Sequence, residues 1–352
     1  MYKRQVLENG SVYSLSTFTK EKEIIGEIIY NTQVVGYQEI VTDLANLDKI
    51  VVMTYPLIGN YGMVEEDNES KGITIKGLIT SEYNQNPSNF RYTDTLKETL
   101  EEAGSLGVTG LDTRKLTREI RRSKITKAMI SNDDRSLEEC LELIKNYKVD
   151  ENIIKRASSN KIRYSKTRNP LNTIAIIDLG VNKSLIKYLN SLGSNVAIVP
   201  YDIETSELKR IHPNGIIISN GPEYPSYLNL DIKGMQEIAP ILAVGTATLA
   251  VAKAYNLEYK VLDSYHGGSN HPVRDLNNNT VDFYQQNHKY HVLDNKLIKV
   301  RYINLLDNTI EGFSLDNIMC TSFIPFTHEA SQKGLNVYLE FMNRIKEVKN
   351  NA

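Results

Sequence analysis

From residue 174 onward the chain alternates runs of branched aliphatic residues with stretches of helical periodicity, and that alternation leaves few folds open. Ile174-Ala175-Ile176-Ile177-Asp178 reads as a buried strand, and residues 182–192 as a helix stopped by Gly193. Val196-Ala197-Ile198-Val199 is the next strand, followed by a short helix and then Ile216-Ile217-Ile218-Ser219. Repeated strand–helix–strand units predict an α/β domain whose mostly parallel sheet is covered by helices on both faces. Sites in such sheets lie beyond the carboxyl ends of the strands, here the loops 219–225 and 243–248. Asp178-Leu179-Gly180-Val181-Asn182 lacks the triple-glycine pattern, which argues against a nicotinamide nucleotide. Residues 240–249, Pro-Ile-Leu-Ala-Val-Gly-Thr-Ala-Thr-Leu, join an apolar strand to an Ala-rich helix through small residues. That is the pattern of a nucleophile elbow, a sharp turn that aims one side chain outward.

The first half has a different texture. Short β-type runs at 26–30, 50–55 and 72–75 are broken by glycine and turn residues, which predicts a sheet-rich α/β domain. A helix is expected over 113–122 and another from Ser136, whose capping-box partner is Glu139. Between the halves, residues 155–168 carry Lys155, Arg156, Lys161, Arg163, Lys166 and Arg168 with no acidic residue, closed by Pro170. A net charge of -2 gives no electrostatic case for nucleic acid, so the stretch reads as a solvated linker. The expected organisation is a first domain over 1–152, a basic linker over 153–171 and a second domain over 172–352, lengths that can each bury a core. No apolar run approaches the roughly 20 residues of a membrane-spanning helix, and the start lacks a signal-peptide pattern. Cys140 and Cys320 show no metal or redox spacing, so a cytoplasmic protein is expected, with neither nucleic acid nor membrane as partner.

At this point longer strings resemble a known family, the small (glutamine amidotransferase) subunit of carbamoyl phosphate synthase. In the first half these are residues 31–39 with Thr42-Asp43, residues 54–62, Pro87-Ser88-Asn89-Phe90-Arg91 and Gly110-Leu111-Asp112-Thr113-Arg114. In the second half Ser219-Asn220-Gly221-Pro222, Asn270-His271-Pro272-Val273, Gln286-Asn287-His288 and Glu329-Ala330-Ser331 continue the match in order. The resemblance implies a small-subunit N-terminal domain followed by a class I glutamine amidotransferase-like domain. In that family a cysteine attacks the glutamine amide, a histidine moves the proton and a glutamate orients the histidine. The ammonia passes to a large subunit, which builds carbamoyl phosphate for arginine or pyrimidine biosynthesis. ATP and Mg are expected on that partner, and neither cofactor nor metal on this chain.

Carried over residue by residue, the family's machinery is largely substituted. Gly245 falls on the cysteine position and Thr327 on the histidine, so of the triad only Glu329 remains. The glutamine-binding positions fall on Ala45, Gly221, Glu223, Thr246, Leu249, Asn287, Lys289 and Tyr290. Ala45 replaces a serine, Glu223 and Lys289 replace glycines, and Leu249 replaces a glutamine. The resemblance therefore implies a small subunit that has lost glutamine hydrolysis and serves an ammonia-using complex in a structural or regulatory role. Two alternatives stand beside it: a non-catalytic metabolite sensor, and an active glutaminase of unusual mechanism. Glu223 and Lys289 are expected either to pair across the emptied pocket or to turn outward to water. His266, His271, His288 and His291 raise a metal site, but without cysteine or His-Glu-x-x-His companions they read as hydrogen-bonding histidines. Cys320 reads as a small buried residue.

Overall fold

A computed structural model describes residues 2–132, 134–325 and 335–351. It divides into two compact units, Met1–Asp150 with Asp263–Gly268, and Glu151–Leu262 with Ser269–Ala352.

In the first unit, the strands Tyr2–Leu7, Val12–Thr17, Leu106–Thr109, Gly77–Ile79, Ile50–Met53, Ile24–Asn31 and Lys127–Asn132 close, in that order, into a barrel. Closure pairs every edge, so none of these strands presents a free backbone ladder. Alternate residues such as Ile28, Tyr30, Ile50, Val52 and Ile79 fill one hydrophobic cluster. The helix Thr113–Ser123 contributes Leu116 and Ile120 to the same cluster. The helix Leu137–Asn146 begins at Ser136, whose capping box with Glu139 is complete. The run 72–75, expected as a strand, is instead an irregular segment. Thr74 bonds into a loop, its N–H and hydroxyl donating to the Val41 carbonyl and its hydroxyl also to that of Asp43. The strand begins two residues later, at Gly77.

The second unit is an α/β domain built on a ten-stranded sheet. Its parallel centre runs Ser194–Pro200, Asn172–Asp178, Gly215–Ile218, Ile241–Val244, Ile318–Thr321. Antiparallel strands extend it through Ile310–Leu315, Lys299–Asn304, Tyr259–Asp275 and Thr280–Val292. The central strands are buried on both faces and so read as unbroken aliphatic runs. The helices Lys183–Ser191 and Leu335–Asn351 pack on one face, where Leu185, Leu189, Phe341 and Ile345 meet Ile176, Ile217 and Leu242.

The basic stretch departs from the linker expectation. It contributes the helix Ile153–Ala157 and the edge strand Arg163–Ser165, which pairs antiparallel with Ser194–Pro200. Two further bonds fix it: the Ser159 N–H donates to Asp178 Oδ2, and the Tyr201 N–H to Ser158 Oγ. Its cations are exposed, with Arg163 also 3.8 Å from the buried Asp178 carboxylate, while its backbone joins the sheet, a division that composition alone does not reveal.

Candidate functional site

The strand Ile241–Val244 delivers the chain to the turn that the sequence singles out. All four residues are buried, locked between Gly215–Ile218 and Ile318–Thr321. Gly245 follows at φ +58, and its N–H donates to the Thr321 carbonyl at 2.7 Å, extending the ladder by one residue. The helix Ala247–Ala254 begins directly afterwards. A left-handed residue between strand and helix is the geometry of an elbow.

The space above Gly245 is filled by the neighbouring loop. A Cβ built on Gly245 would stand 2.2 Å from Asn220 Oδ1 and 2.7 Å from its Cγ, far inside contact distance. Asn220 is held there by the elbow itself, because the Thr246 N–H donates to Asn220 Oδ1 at 3.1 Å. The two nearby hydroxyls are also committed. Thr246 Oγ1 donates to the Gly221 carbonyl at 2.9 Å, and Thr248 Oγ1 to that of Gly245 at 2.8 Å. Gly221 itself is pressed against the Leu179 backbone, where a Cβ would lie 2.0 Å from the carbonyl oxygen. Leu249 is buried in the helix behind the turn.

Glu223 does not turn to water: it is only 4% exposed. Its carboxylate accepts the Lys289 N–H at 2.6 Å and the Tyr290 N–H at 3.2 Å, tying the loop after Gly215–Ile218 to the strand Thr280–Val292. Burying a carboxylate is costly unless hydrogen bonds replace its hydration, and these two backbone donors supply that replacement. The Lys289 ammonium lies 5.3 Å from the centre of the Tyr224 ring and 5.8 Å from that of Tyr290, within cation–π range.

Behind Lys289 lies a buried polar group that the sequence reading did not single out as one. His288 Nε2 is 3.2 Å from Glu311 Oε2, and both side chains are almost wholly buried. His288 Nδ1 faces the Tyr290 carbonyl at 2.9 Å, and Asn304 donates to Glu311 Oε1 at 3.0 Å. His288 falls within a quoted motif, but nothing local marks Glu311; only the strand pairing brings it there. Asn287 stands on the same strand, half-buried. Ala45 belongs to the first unit, buried in the short turn Leu44–Asn46 with its N–H donating to Asp43 Oδ1 at 2.9 Å. Thr327 and Glu329 lie outside the described residues. Cys320 is buried, and burial pushes its thiol far above the ordinary range, which leaves no thiolate for attack.

Residues 5–130 match the family model of the carbamoyl-phosphate synthase small chain, CPSase domain, and residues 175–321 that of class-I glutamine amidotransferase. The chain is 35% identical over 317 residues to the carbamoyl phosphate synthase small chain of Listeria monocytogenes serotype 4b, covering 88% of this chain and 86% of that protein. It is 33% identical over 358 residues to the Chlorobaculum tepidum protein of the same name, covering 98% of each. For that of Clostridium perfringens the figures are 33% over 348 residues, 97% of this chain and 99% of that protein. The chain belongs to the carbamoyl phosphate synthase small-chain family. The barrel unit carries the small-chain model, and the amidotransferase model spans Asn220, Glu223, the elbow and the His288–Glu311 pair. Among the described residues, no helix is long and apolar enough to cross a membrane.

Proposed function

We propose that this member of the small-chain family is the small subunit of a carbamoyl phosphate synthase complex in which glutamine hydrolysis has been lost. The large subunit then draws on free ammonia, with ATP and Mg bound there and no cofactor on this chain. The observation that carries the reading is the filled elbow. An amidotransferase needs a nucleophile at the apex and free N–H donors around the developing oxyanion. Here the apex has no side chain, Asn220 stands where one would project, and the Thr246 N–H is already engaged. Glu223 adds a carboxylate at a loop where an oxyanion would need donors.

An unusual active mechanism lacks a candidate group at the turn. The hydroxyls of Thr246 and Thr248 donate to backbone carbonyls, and Cys320 is sealed in the core. A glutamine sensor is disfavoured because Glu223 occupies the backbone donors of Lys289 and Tyr290, two positions that bind glutamine in the family. The test is reconstitution with the cognate large subunit, comparing ammonia with glutamine as nitrogen donor. The expected result is synthesis of carbamoyl phosphate from ammonia and none above background from glutamine. Glutamine-dependent synthesis, or glutamate release by the purified chain, overturns the proposal.

A further inference from the structure

The helix Thr113–Ser123 turns Thr113, Leu116, Thr117 and Ile120 inward, and its outer face is almost entirely cationic. Arg114, Lys115, Arg118, Arg121 and Arg122 are all exposed. At about 3.6 residues per turn they fill one continuous arc opposite the buried residues. The helix carries a single carboxylate, Glu119, to which the Tyr13 hydroxyl and the Asn9 amide already donate. Arg114, Arg118 and Arg122, spaced by four, stand one above another in a row about 12 Å long. Among the described residues none of these three makes an ion pair or a side-chain hydrogen bond. Their neighbours are committed: Arg121 donates to Ser264 Oγ at 3.4 Å, and the Lys115 ammonium lies 6.0 Å from the centre of the Tyr13 ring.

Helix energetics do not account for this row. Like charges four residues apart repel one another. Arg114 and Lys115 also stand in the first turn, where the positive end of the helix dipole opposes them. In a chain of net charge -2, residues 113–124 hold six cations and one carboxylate, so the remainder of the molecule is net acidic. Proteins break local rules of this kind at functional sites. Here the repulsion is relieved when carboxylates from outside lie between the guanidinium groups.

We propose that this arginine row docks on a carboxylate-rich surface of the large synthase subunit, an inference that rests on the reading of this chain as a small subunit. Each planar guanidinium can take one carboxylate through two parallel hydrogen bonds. Three observations favour that occupant. The row lies within residues 5–130, matched to the small-chain model, and outside residues 175–321, matched to amidotransferases at large. A second copy approaching about a symmetry axis presents the same positive row and is repelled. A nucleic acid or an anionic membrane would bring its extended negative charge against the net acidic remainder of the molecule.

The experiment measures binding of the full chain to its cognate large subunit by surface plasmon resonance, for the parent and for Arg118→Glu. The substitution turns the like-charge spacings to Arg114 and Arg122 into opposite-charge ones, so the variant is expected to melt at or slightly above the parent temperature. Its binding is expected to weaken at least about tenfold, and its association rate to depend less on salt than that of the parent. A gain in helix stability with a loss of binding separates docking from a structural role. Lys161→Glu with Lys166→Glu, on the exposed basic stretch of the other unit, is expected to bind like the parent. Equal binding by Arg118→Glu and the parent, or an equal loss in the Lys161 and Lys166 variant, overturns the docking face and leaves the complex standing. Failure of the unmodified chain to bind the large subunit overturns both. Capture of duplex DNA or phosphatidylserine vesicles that Arg118→Glu abolishes, with large-subunit binding intact, overturns the choice of partner.

Discussion

Lys124 and Gly245 adopt nearly the same backbone conformation, φ 51 and φ 58, in opposite surroundings. Lys124 closes the helix Thr113–Ser123, and its N–H caps the Ile120 carbonyl. Its side chain runs through water to Asp263, 2.8 Å away, with both partners exposed. Gly245 sits at the end of a buried strand with Asn220 filling the place of a side chain. A left-handed turn therefore does not by itself demand glycine; the protein tolerates lysine there when the Cβ meets solvent. At the elbow it is enclosure, added to conformation, that excludes a side chain. Local strain and enclosure can thus be measured separately by moving residues between the two kinds of site.

The largest effect is expected at the elbow. Gly245→Cys must carry a non-glycine residue at positive φ, about 1–3 kcal/mol, and must push Asn220 off the Thr246 N–H, about 1–3 kcal/mol more. Urea unfolding should show a loss toward the upper end of that combined range, and glutaminase should stay at background. Asn220→Ala by itself gives up the same Thr246 contact, so on that background Gly245→Cys should add only the backbone cost, about 1–3 kcal/mol. If Gly245→Cys costs as much in the Asn220→Ala background as in the parent, Asn220 is not the obstacle.

A second effect separates charge from shape at the adjoining loops. Glu223→Gln keeps the length but turns one acceptor oxygen into a donor, so the Lys289 or the Tyr290 N–H loses its partner. The cost should be about 1–3 kcal/mol for a buried donor left unsatisfied. A variant as stable as the parent would show that hydration replaces the carboxylate at this loop.

A pH effect is expected in the barrel unit, at a half-exposed pair. Hydrogen bonds from Arg135 hold the Glu23 carboxyl below its ordinary range, and the Asn132 N–H adds to this. A carboxyl depressed in the folded state contributes stability above its ordinary pKa and loses it as pH falls through the folded value. Glu23→Gln should therefore destabilise at neutral pH and converge with the parent in acid. Parallel curves from neutral to acid pH would remove Glu23 from the acid sensitivity of the fold.

The smallest effect is the converse of the first. Lys124→Gly relieves the left-handed strain and gives up an exposed ion pair worth about 0–1 kcal/mol, while the added unfolded-state freedom of glycine costs about 0.4–1 kcal/mol. The net change should be within about 1 kcal/mol of zero. A loss as large as that at Gly245 would mean that the capping lysine is enclosed too.

Much of the second unit is legible along the chain because its signals are local. The aliphatic runs at 174–178 and 216–218, the stop at Gly193 and the small residues around Gly245 each act within a few positions. The Ser136 capping box is legible for the same reason. What is not legible depends on distant partners. Arg163–Ser165 becomes a strand only because Ser194–Pro200 offers an edge, and Asp263–Gly268 joins the first unit from far along the sequence. Glu311 meets His288 through the pairing of strands. The motif Ser219-Asn220-Gly221-Pro222 names the loop, but not that the Asn220 amide turns onto the elbow.

The edge strand Arg163–Ser165 also bears on how copies of the protein behave toward one another. An open sheet edge is a template on which a foreign strand can grow, and only three residues are offered here. Lys161, Arg163, Lys166 and Arg168 surround them, all exposed. A second copy approaching edge to edge would bring the same positive cluster against its image before a backbone bond could form. Like charges of this kind oppose edge-to-edge pairing, and that opposition should fade as salt shortens the Debye length to about 3 Å at 1 M.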